Sequence, residues 1–592
     1  MHSTSLAPAE GSPIPSPTAR PVRVWPGVVL VALFWSVFFG VRILDAPIST
    51  GFMSIMGAAS LMTLLYLGWW LFNGTVRLAE RVFDVGVLIV GLLVAGWFCH
   101  PSLGPIGLVF LGLPLAFSAW TVWLLVARRW SARTRRAGTV VVLTLVWLSQ
   151  IVVRIDGVDG SNQASVSLRW RPTAEDLYVA EQAKSAPTQV SSAPLQPRQG
   201  DWLDFRGPLR RGELHGQRIA TDWSSSPPRE LWRRNIGPAW SSVLVIDGRL
   251  ITQEQRGELE AVTCLDAETG QEIWAHTDAV RFSDGQAGAG PRATPTYAHG
   301  RIYSLGATGV LNCLQAADGK PVWSRDLVAD TGAPLPMWGF SSSPLVVDDS
   351  VVVYGGSQPD KGLIAYNSNT GEPIWTAATG PISYSSAQIA TCGGESQLLF
   401  LSDAGLIALA PKSGQLLWQY IAPATGIWRV VQPRQLDDGT ILIGCEDLGL
   451  VCLEAAKPQD EWQVTPRYKA RSIRPAFNDF VVCDDALYGF DESIFCCVET
   501  ATGKRRWKAG RYGHGQVLLL ADQKLLVVVT ETGEVVLVSA DPAKHVELGR
   551  FQAVAGKTWN HPVVAHGRLY VRNDHELACF DVQEARTPAA GL

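Results

Sequence analysis

The 592-residue chain lacks an excess of either charge: 50 Lys and Arg stand against 54 Asp and Glu, a net of −4. That balance excludes the strongly basic footprint by which proteins hold nucleic acid. Cysteine is sparse, ten residues in all, which excludes a small disulfide-stapled scaffold. No Cys-x-x-Cys-His stretch occurs, so no covalent c-type haem is expected. P-loop, zinc-protease and Gly-x-Ser-x-Gly patterns are missing as well. Long apolar runs are missing beyond residue 155. What is abundant is glycine (56) and tryptophan (23), a combination that points to turn-rich repeats.

Before residue 155 the composition is different. Five apolar runs, at about 25–45, 52–72, 82–99, 105–127 and 138–154, approach the ~20 residues a membrane helix needs. A cleavable signal peptide does not explain five runs. Arg20 and Arg23 precede the first run, Arg77 and Arg81 separate the second and third, and Arg128, Arg129, Arg133, Arg135 and Arg136 follow the fourth. The connections around Ala46–Ser49 and His100–Gly104 hold no Lys or Arg. The positive-inside rule then predicts a cytoplasmic N-terminal tail (1–24) and an inner-membrane five-span domain (25–155). Everything beyond is delivered to the periplasmic or extracytoplasmic side. Arg42 and Asp84 fall near run ends, where a charge is tolerated, and the bundle reads as an anchor. Residues 156–200 have linker composition, with a short helix expected over Thr173–Lys184.

From 201 to 592 one unit recurs: a small apolar strand, a turn with Gly, and a Trp four residues later. LDAETGQEIW ends at Trp274, LQAADGKPVW at Trp323, YNSNTGEPIW at Trp375, LAPKSGQLLW at Trp418 and VETATGKRRW at Trp507. LEAAKPQDEW, ending at Trp462, and SADPAKHVEL, ending at Leu548, read as degraded copies. The spacing suits four-stranded propeller blades. First strands are expected near 241, 293, 341, 384, 430, 473, 516 and 561. The Trp232 strand is expected to complete the last blade, closing an all-β eight-bladed propeller without open edges.

The T-G-x-x-x-W turn, the strand order and the count of eight resemble the propellers of pyrroloquinoline-quinone (PQQ) dehydrogenases. They resemble equally the non-enzymatic propeller lipoprotein of outer-membrane assembly. DWLDFRGPLRRG (201–212) and GRYGHGQ (510–516) look like a subgroup of PQQ-like repeat proteins of largely unassigned function, and the five-span plan resembles membrane-bound glucose dehydrogenase. The resemblance covers about two thirds of the chain and is specific for fold. Its dehydrogenase members imply PQQ with Ca²⁺, an acidic base and electron transfer from alcohols or sugars to quinone. Its non-enzymatic members imply a binding or scaffolding module with no cofactor. The second reading is favoured, because the aligned entry loops hold no Asp or Glu. Asp278, Asp284, Asp326 and Asp330 lie in longer loops whose spacing does not demand that they fold inward.

Those loops supply Trp240, Arg292, Trp338, Tyr384, Trp428, Arg429, Arg471, His514, Trp559 and His561, and a second loop set adds Glu254 and Arg256. Aromatic and cationic groups at one channel mouth suit a protein partner or a small anionic ligand. No catalytic or metal-binding residue is assigned. Cys496 and Cys497 are adjacent, but Cys497 stands ten residues before Trp507, as Cys264, Cys313 and Cys452 stand before Trp274, Trp323 and Trp462. That offset marks a small buried slot rather than a redox pair.

Overall fold

The structure is a computed structural model describing residues 21–44, 48–160, 163–183, 193–425 and 429–584. It divides into a helical unit, mainly Thr50–Ile155, and a second unit comprising Asp156–Ser165 and the chain from Trp170 onward.

The helical unit contains Trp25–Ile43, Ile48–Leu71, Leu78–Phe98, Gly104–Ala127 (with a π-helical turn at Leu108–Gly112) and Ala132–Val152. Their outward faces leave large apolar side chains uncovered, Leu64 at 70% and Leu93 at 67% exposure. Water would oppose such surfaces and lipid accepts them. Among the described residues four helices, not the expected five, are long and apolar enough to cross a membrane. The third differs by carrying Glu80, Arg81 and Asp84 in its first two turns.

Two of those charges are absorbed locally. Glu80 pairs with Arg135 at 2.6 Å, and Arg81 donates to the Leu71 carbonyl. The third helix runs parallel to the fifth: Glu80 and Arg135 join their first turns, while Arg169 donates to the carbonyls of Phe98 (2.8 Å) and Ile151 (3.2 Å) at their far ends. The arginine-bearing ends of the bundle are tied together, with Val22 N–H on the Arg128 carbonyl (3.3 Å) and Asn73 Nδ2 on that of Arg23 (3.4 Å).

The second unit is the expected propeller of eight sheets in sequence order, antiparallel apart from the short strand Glu213–Leu214 added to the seventh. Closure is also as expected: Glu576–Asp581 pairs with Arg229–Asn235, so the strand carrying Trp232 completes the last blade. The first strands begin at Leu244, Thr296, Leu345, Gln388, Arg434, Val481, Gln516 and Val563. The sixth starts later than the repeat spacing suggests, because its entry loop is longer.

The repeat motif is a packing device between blades. Cys264, Cys313, Ala365, Ala408, Cys497 and Cys579 lie directly opposite Trp274, Trp323, Trp375, Trp418, Trp507 and Trp232. Each turn glycine meets the ring of the preceding blade. A Cβ on Gly371, at φ +74°, would stand 2.7 Å from Trp323, and one on Gly319 would stand 2.4 Å from Trp274. Both the left-handed backbone and the facing ring therefore require glycine there.

Two slots differ from expectation. Cys452 lies opposite Tyr468, not Trp462, since the turn in LEAAKPQDEW is lengthened and the strand restarts at Gln463. Tyr468 then receives Gly503 as a Trp would. In the seventh blade the slot falls on Gly549 rather than Leu548, and Trp223 from the N-terminal segment fills the missing volume, 2% exposed and 5.7 Å from Phe551. Cys496 and Cys497 are buried free thiols.

Candidate functional site

Where each first strand begins, blades are joined by a hydrogen-bonded ring. Backbone N–H groups donate to the next blade's side chain: Ser242 to Thr294 (2.9 Å), Thr294 to Ser343 (3.0 Å), Ser343 to Ser386 (2.9 Å), Ser386 to Gln432 (2.8 Å), Gln432 to Asp479 (2.8 Å) and Asp479 to Gln516 (3.3 Å). Gln516 Nε2 donates to the Trp559 carbonyl (3.2 Å), and Ser242 Oγ to that of His561 (2.8 Å), closing the circle. A serine or amide at this step satisfies a backbone donor that would otherwise be buried without a partner.

Two residues before the ring position stand Trp240, Arg292, Tyr384, Phe477, His514 and Trp559. These line the mouth. Trp240 and Trp559 are 4.9 Å apart, and Lys557 Nζ lies 4.8 and 4.5 Å from their ring centres, a cation held between two aromatic faces. Phe477 packs on Trp559 at 4.8 Å and stacks on His514 at 5.4 Å. On the other side Trp338 contacts Tyr384 at 5.0 Å. Arg471 sits elsewhere: it is exposed just past the strand Gln463–Ala470, and Phe477 takes the mouth position of that blade. Trp428 lies outside the described residues. His561 lies within the ring itself, packed on Phe205, with burial and Arg206 holding its pKa well below the usual histidine value.

Three of the predicted cations are already paired by the chain's own carboxylates. Arg292 bonds Asp284 and the carbonyls of Gly288 and Gly290. Arg429, fully buried, bonds Asp447 and the Ala422 carbonyl. Arg256 bonds Glu254 and Glu272, each at 2.5 Å. Of the four aspartates in longer loops, Asp284 reaches the mouth. Asp278 pairs with Asn312, Asp326 caps a short helix, and Asp330 pairs with Arg325.

Carboxylates come from the turns between second and third strands, a class the entry-loop alignment does not sample. Asp403, Asp447, Glu492, Glu531 and Asp574 recur there, and this repetition is the sequence signal that would have found them. Glu531 accepts from Gly160 N–H (2.6 Å), Trp559 Nε1 (2.9 Å) and His514 N–H (3.1 Å). Burial opposes its ionisation, but its contacts with His514, Trp559 and Gly160 win and hold the carboxyl down at about 2. Glu492, 3% exposed, has no hydrogen bond to either carboxylate oxygen among the described residues. Burial, then Glu446, pushes it up to about 7 against the pull of Arg474 and His514.

The mouth is roofed by the chain itself. Gly160 lies over His514 and Glu531, and Lys557 donates to the Val158 carbonyl (3.2 Å). The loop after the first blade brings Gln286, whose side chain accepts from Trp338 Nε1 (2.8 Å) and whose carbonyl accepts from Val158 N–H (3.2 Å). The helix Ala174–Gln182, begun by the Thr173–Asp176 capping box, covers the adjoining rim. Tyr178 there donates to Glu254 at 2.6 Å, and Glu175 pairs with Arg281 at 2.7 Å.

A Ca²⁺-bound quinone does not fit this arrangement. The space against Trp240 and Trp559 holds Lys557, Glu254 is consumed by Tyr178, Gly237 and Arg256, and Asp284 by Arg292. Among the described residues no three His, Cys, Asp or Glu side chains are grouped to hold a metal ion.

Residues 258–509 match the family model described as outer membrane protein assembly factor BamB. The chain is 24% identical over 319 residues to the outer membrane protein assembly factor BamB of Burkholderia pseudomallei (strain K96243), covering 50% of this chain and 75% of that protein. It is 28% identical over 176 residues to the quinohemoprotein alcohol dehydrogenase ADH-IIG of Pseudomonas putida, covering 26% of this chain and 24% of that enzyme. Among solved structures, the quinohemoprotein alcohol dehydrogenase of Comamonas testosteroni aligns at a TM-score of 0.50 and 13% identity, over 71% of this chain and 86% of that one. At that identity the likeness concerns the fold alone.

Proposed function

Taking an eight-bladed PQQ-like propeller behind a helical membrane bundle as the premise, we propose that the protein is a membrane-anchored, extracytoplasmic binding or scaffolding module whose partner is another protein. One observation carries this reading: Arg256, Arg292 and Arg429 are neutralised within the chain, and the mouth is roofed by residues 158–160 and 286. A propeller whose described mouth residues are paired and roofed in this way offers its rim. That rim carries exposed Leu335 (44%), Met337 (64%) and Ile421 (71%), apolar side chains suited to a protein surface. The similarity to proteins named as assembly factors supports the same direction.

The bundle would lie in the inner membrane with its N-terminus cytoplasmic. Support comes from arginine placement and from the third helix, which accompanies the fifth from end to end, so that an odd number of crossings is available. The discriminating experiment is addition of PQQ and Ca²⁺ to the purified full chain. No absorbance change and no dye-linked oxidation of alcohols or sugars is expected; saturable quinone binding would overturn the scaffold reading.

A further inference from the structure

Residues 201–214 enter the propeller from the face opposite the mouth and close its floor. Trp202 forms a bridge with Val245, the Leu203 carbonyl accepts from Tyr297 N–H (2.9 Å), and Glu213–Leu214 pairs in parallel with Leu519–Leu520. Between these anchors the backbone is unusual. Arg206, Leu209 and Arg210 have φ of +59°, +55° and +56°, a left-handed conformation that costs a non-glycine residue roughly 1–2 kcal/mol. Leu209 is moreover 73% exposed.

This backbone delivers arginines to one place. A small cavity between the fourth and fifth blades is lined by Arg206, Arg210, Arg211 and Arg434, with Leu209 and Gln388 among the residues at its edge. Three carboxylates pair with the four guanidiniums: Asp479 with Arg206 (3.5 Å), Asp204 with Arg210 (3.3 Å), and Glu213 with both Arg434 (2.8 Å) and Arg211 (3.5 Å). Four positive groups against three negative leave an excess of one. Burial raises the Asp204 and Asp479 carboxyls and lowers the Arg206 and Arg210 guanidiniums alike, so every charge in the cluster is held against desolvation.

The arginines are also incompletely satisfied. Arg206, Arg210 and Arg434 are 4%, 4% and 8% exposed. The Nε of Arg206 and both Nε and Nη1 of Arg434 have no hydrogen-bond partner among the described residues, and the Nε of Arg210 has only its 3.3 Å ion-pair contact with Asp204. Burial, with Arg211 and Arg206 adding like-charge repulsion, lowers the Arg434 pKa to about 10. Natural proteins rarely leave buried guanidinium donors and an uncompensated charge together.

We infer that this cavity is a site for one small monovalent anion, a halide or one carboxylate oxygen, whose charge seats the 201–214 segment against the fourth and fifth blades. The size agrees, since the cavity admits roughly one water-sized sphere. Sulfate and phosphate are too large for it as built.

The test is thermal unfolding of the detergent-purified full chain, titrated with chloride, bromide or acetate at constant ionic strength against methanesulfonate, whose headgroup is as large as sulfate. Wild type should gain about 2 °C or more, saturating with anion concentration. Saturation by chloride and bromide alone assigns a halide, and by acetate as well a carboxylate. Leu209→Asp places a fixed charge at the rim, in a conformation Asp tolerates, and should abolish the response. Leu209→Asn keeps that backbone without the charge and should retain it. Arg434→Met should also lose the response; should that variant not fold, the Asp and Asn pair decides. A non-saturating rise, or an equal rise in Leu209→Asp, overturns the site.

Discussion

Glu492 bears the most costly environment at the mouth. It is 3% exposed, faces Glu446, Asp491, Arg474 and His514, and sits in a turn at φ +59°. Its folded pKa of about 7 lies above the ~4.3 of a free glutamate, so the folded state holds its proton more firmly than the unfolded chain. Stability from this group is therefore complete below pH ~4 and falls as pH rises towards 7. Glu531 works in the opposite sense: with a folded pKa of about 2 it stabilises above ~4.3 and loses that contribution only in strong acid. Glu492→Gln should thus leave the melting midpoint unchanged at pH 4 and raise it at pH 8, by the equivalent of about 3–4 kcal/mol at most. Melting curves of the two proteins across that range would show it, and a uniform shift at all pH values would refute the assignment.

At the scale of the element, the blade is a strand order plus one interlock, the Trp ring against the next blade's glycine. Gly371 and Gly248 separate its two costs. Both have positive φ, +74° and +77°, but a Cβ on Gly371 collides with Trp323 whereas one on Gly248 meets nothing within 4 Å. Gly248→Ala should cost about 1 kcal/mol from backbone strain, and Gly371→Ala about 3 kcal/mol because the ring must also move. Equal losses in melting midpoint would show that the ring contact adds nothing. The same interlock explains what is legible in the sequence. Five intact T-G-x-x-x-W-type turns announce the blades, and the Cys or Ala opposite each Trp explains Cys497 without redox chemistry. The sequence misleads where the interlock is rebuilt from elsewhere. Tyr468 replaces Trp462 beyond a lengthened turn, and Trp223, from outside the blade, serves the slot at Gly549. An alignment of fixed offsets puts Arg471 at the mouth because a longer entry loop is invisible to it. The pairing of the mouth cations is likewise hidden, since Asp447, Glu531 and Asp284 reach it from turns outside the aligned positions.

For the whole molecule, the decisive quantity is the parity of membrane crossings. Four helices pass on length and apolarity, and four crossings would leave the N-terminus and the propeller on one side. The third helix is set apart by its charges. Yet Glu80 and Arg135 neutralise each other at 2.6 Å, and the helix keeps pace with the fifth from that pair to the carbonyls gathered by Arg169. On the proposed topology that helix would cross beside its neighbour, as its length allows. The proposed topology would put the arginines around 23, 77–81 and 128–136 on one side, which the positive-inside rule makes cytoplasmic. Thiol labelling can check this with little background, because nine of the ten native cysteines are buried and Cys99 is partly so. A membrane-impermeant maleimide on intact spheroplasts should label Asp437→Cys, on an exposed propeller turn, and should spare Ser12→Cys, in the N-terminal tail, until the membrane is permeabilised. Labelling of both before permeabilisation, or of neither, would mean an even number of crossings and a third helix that does not span.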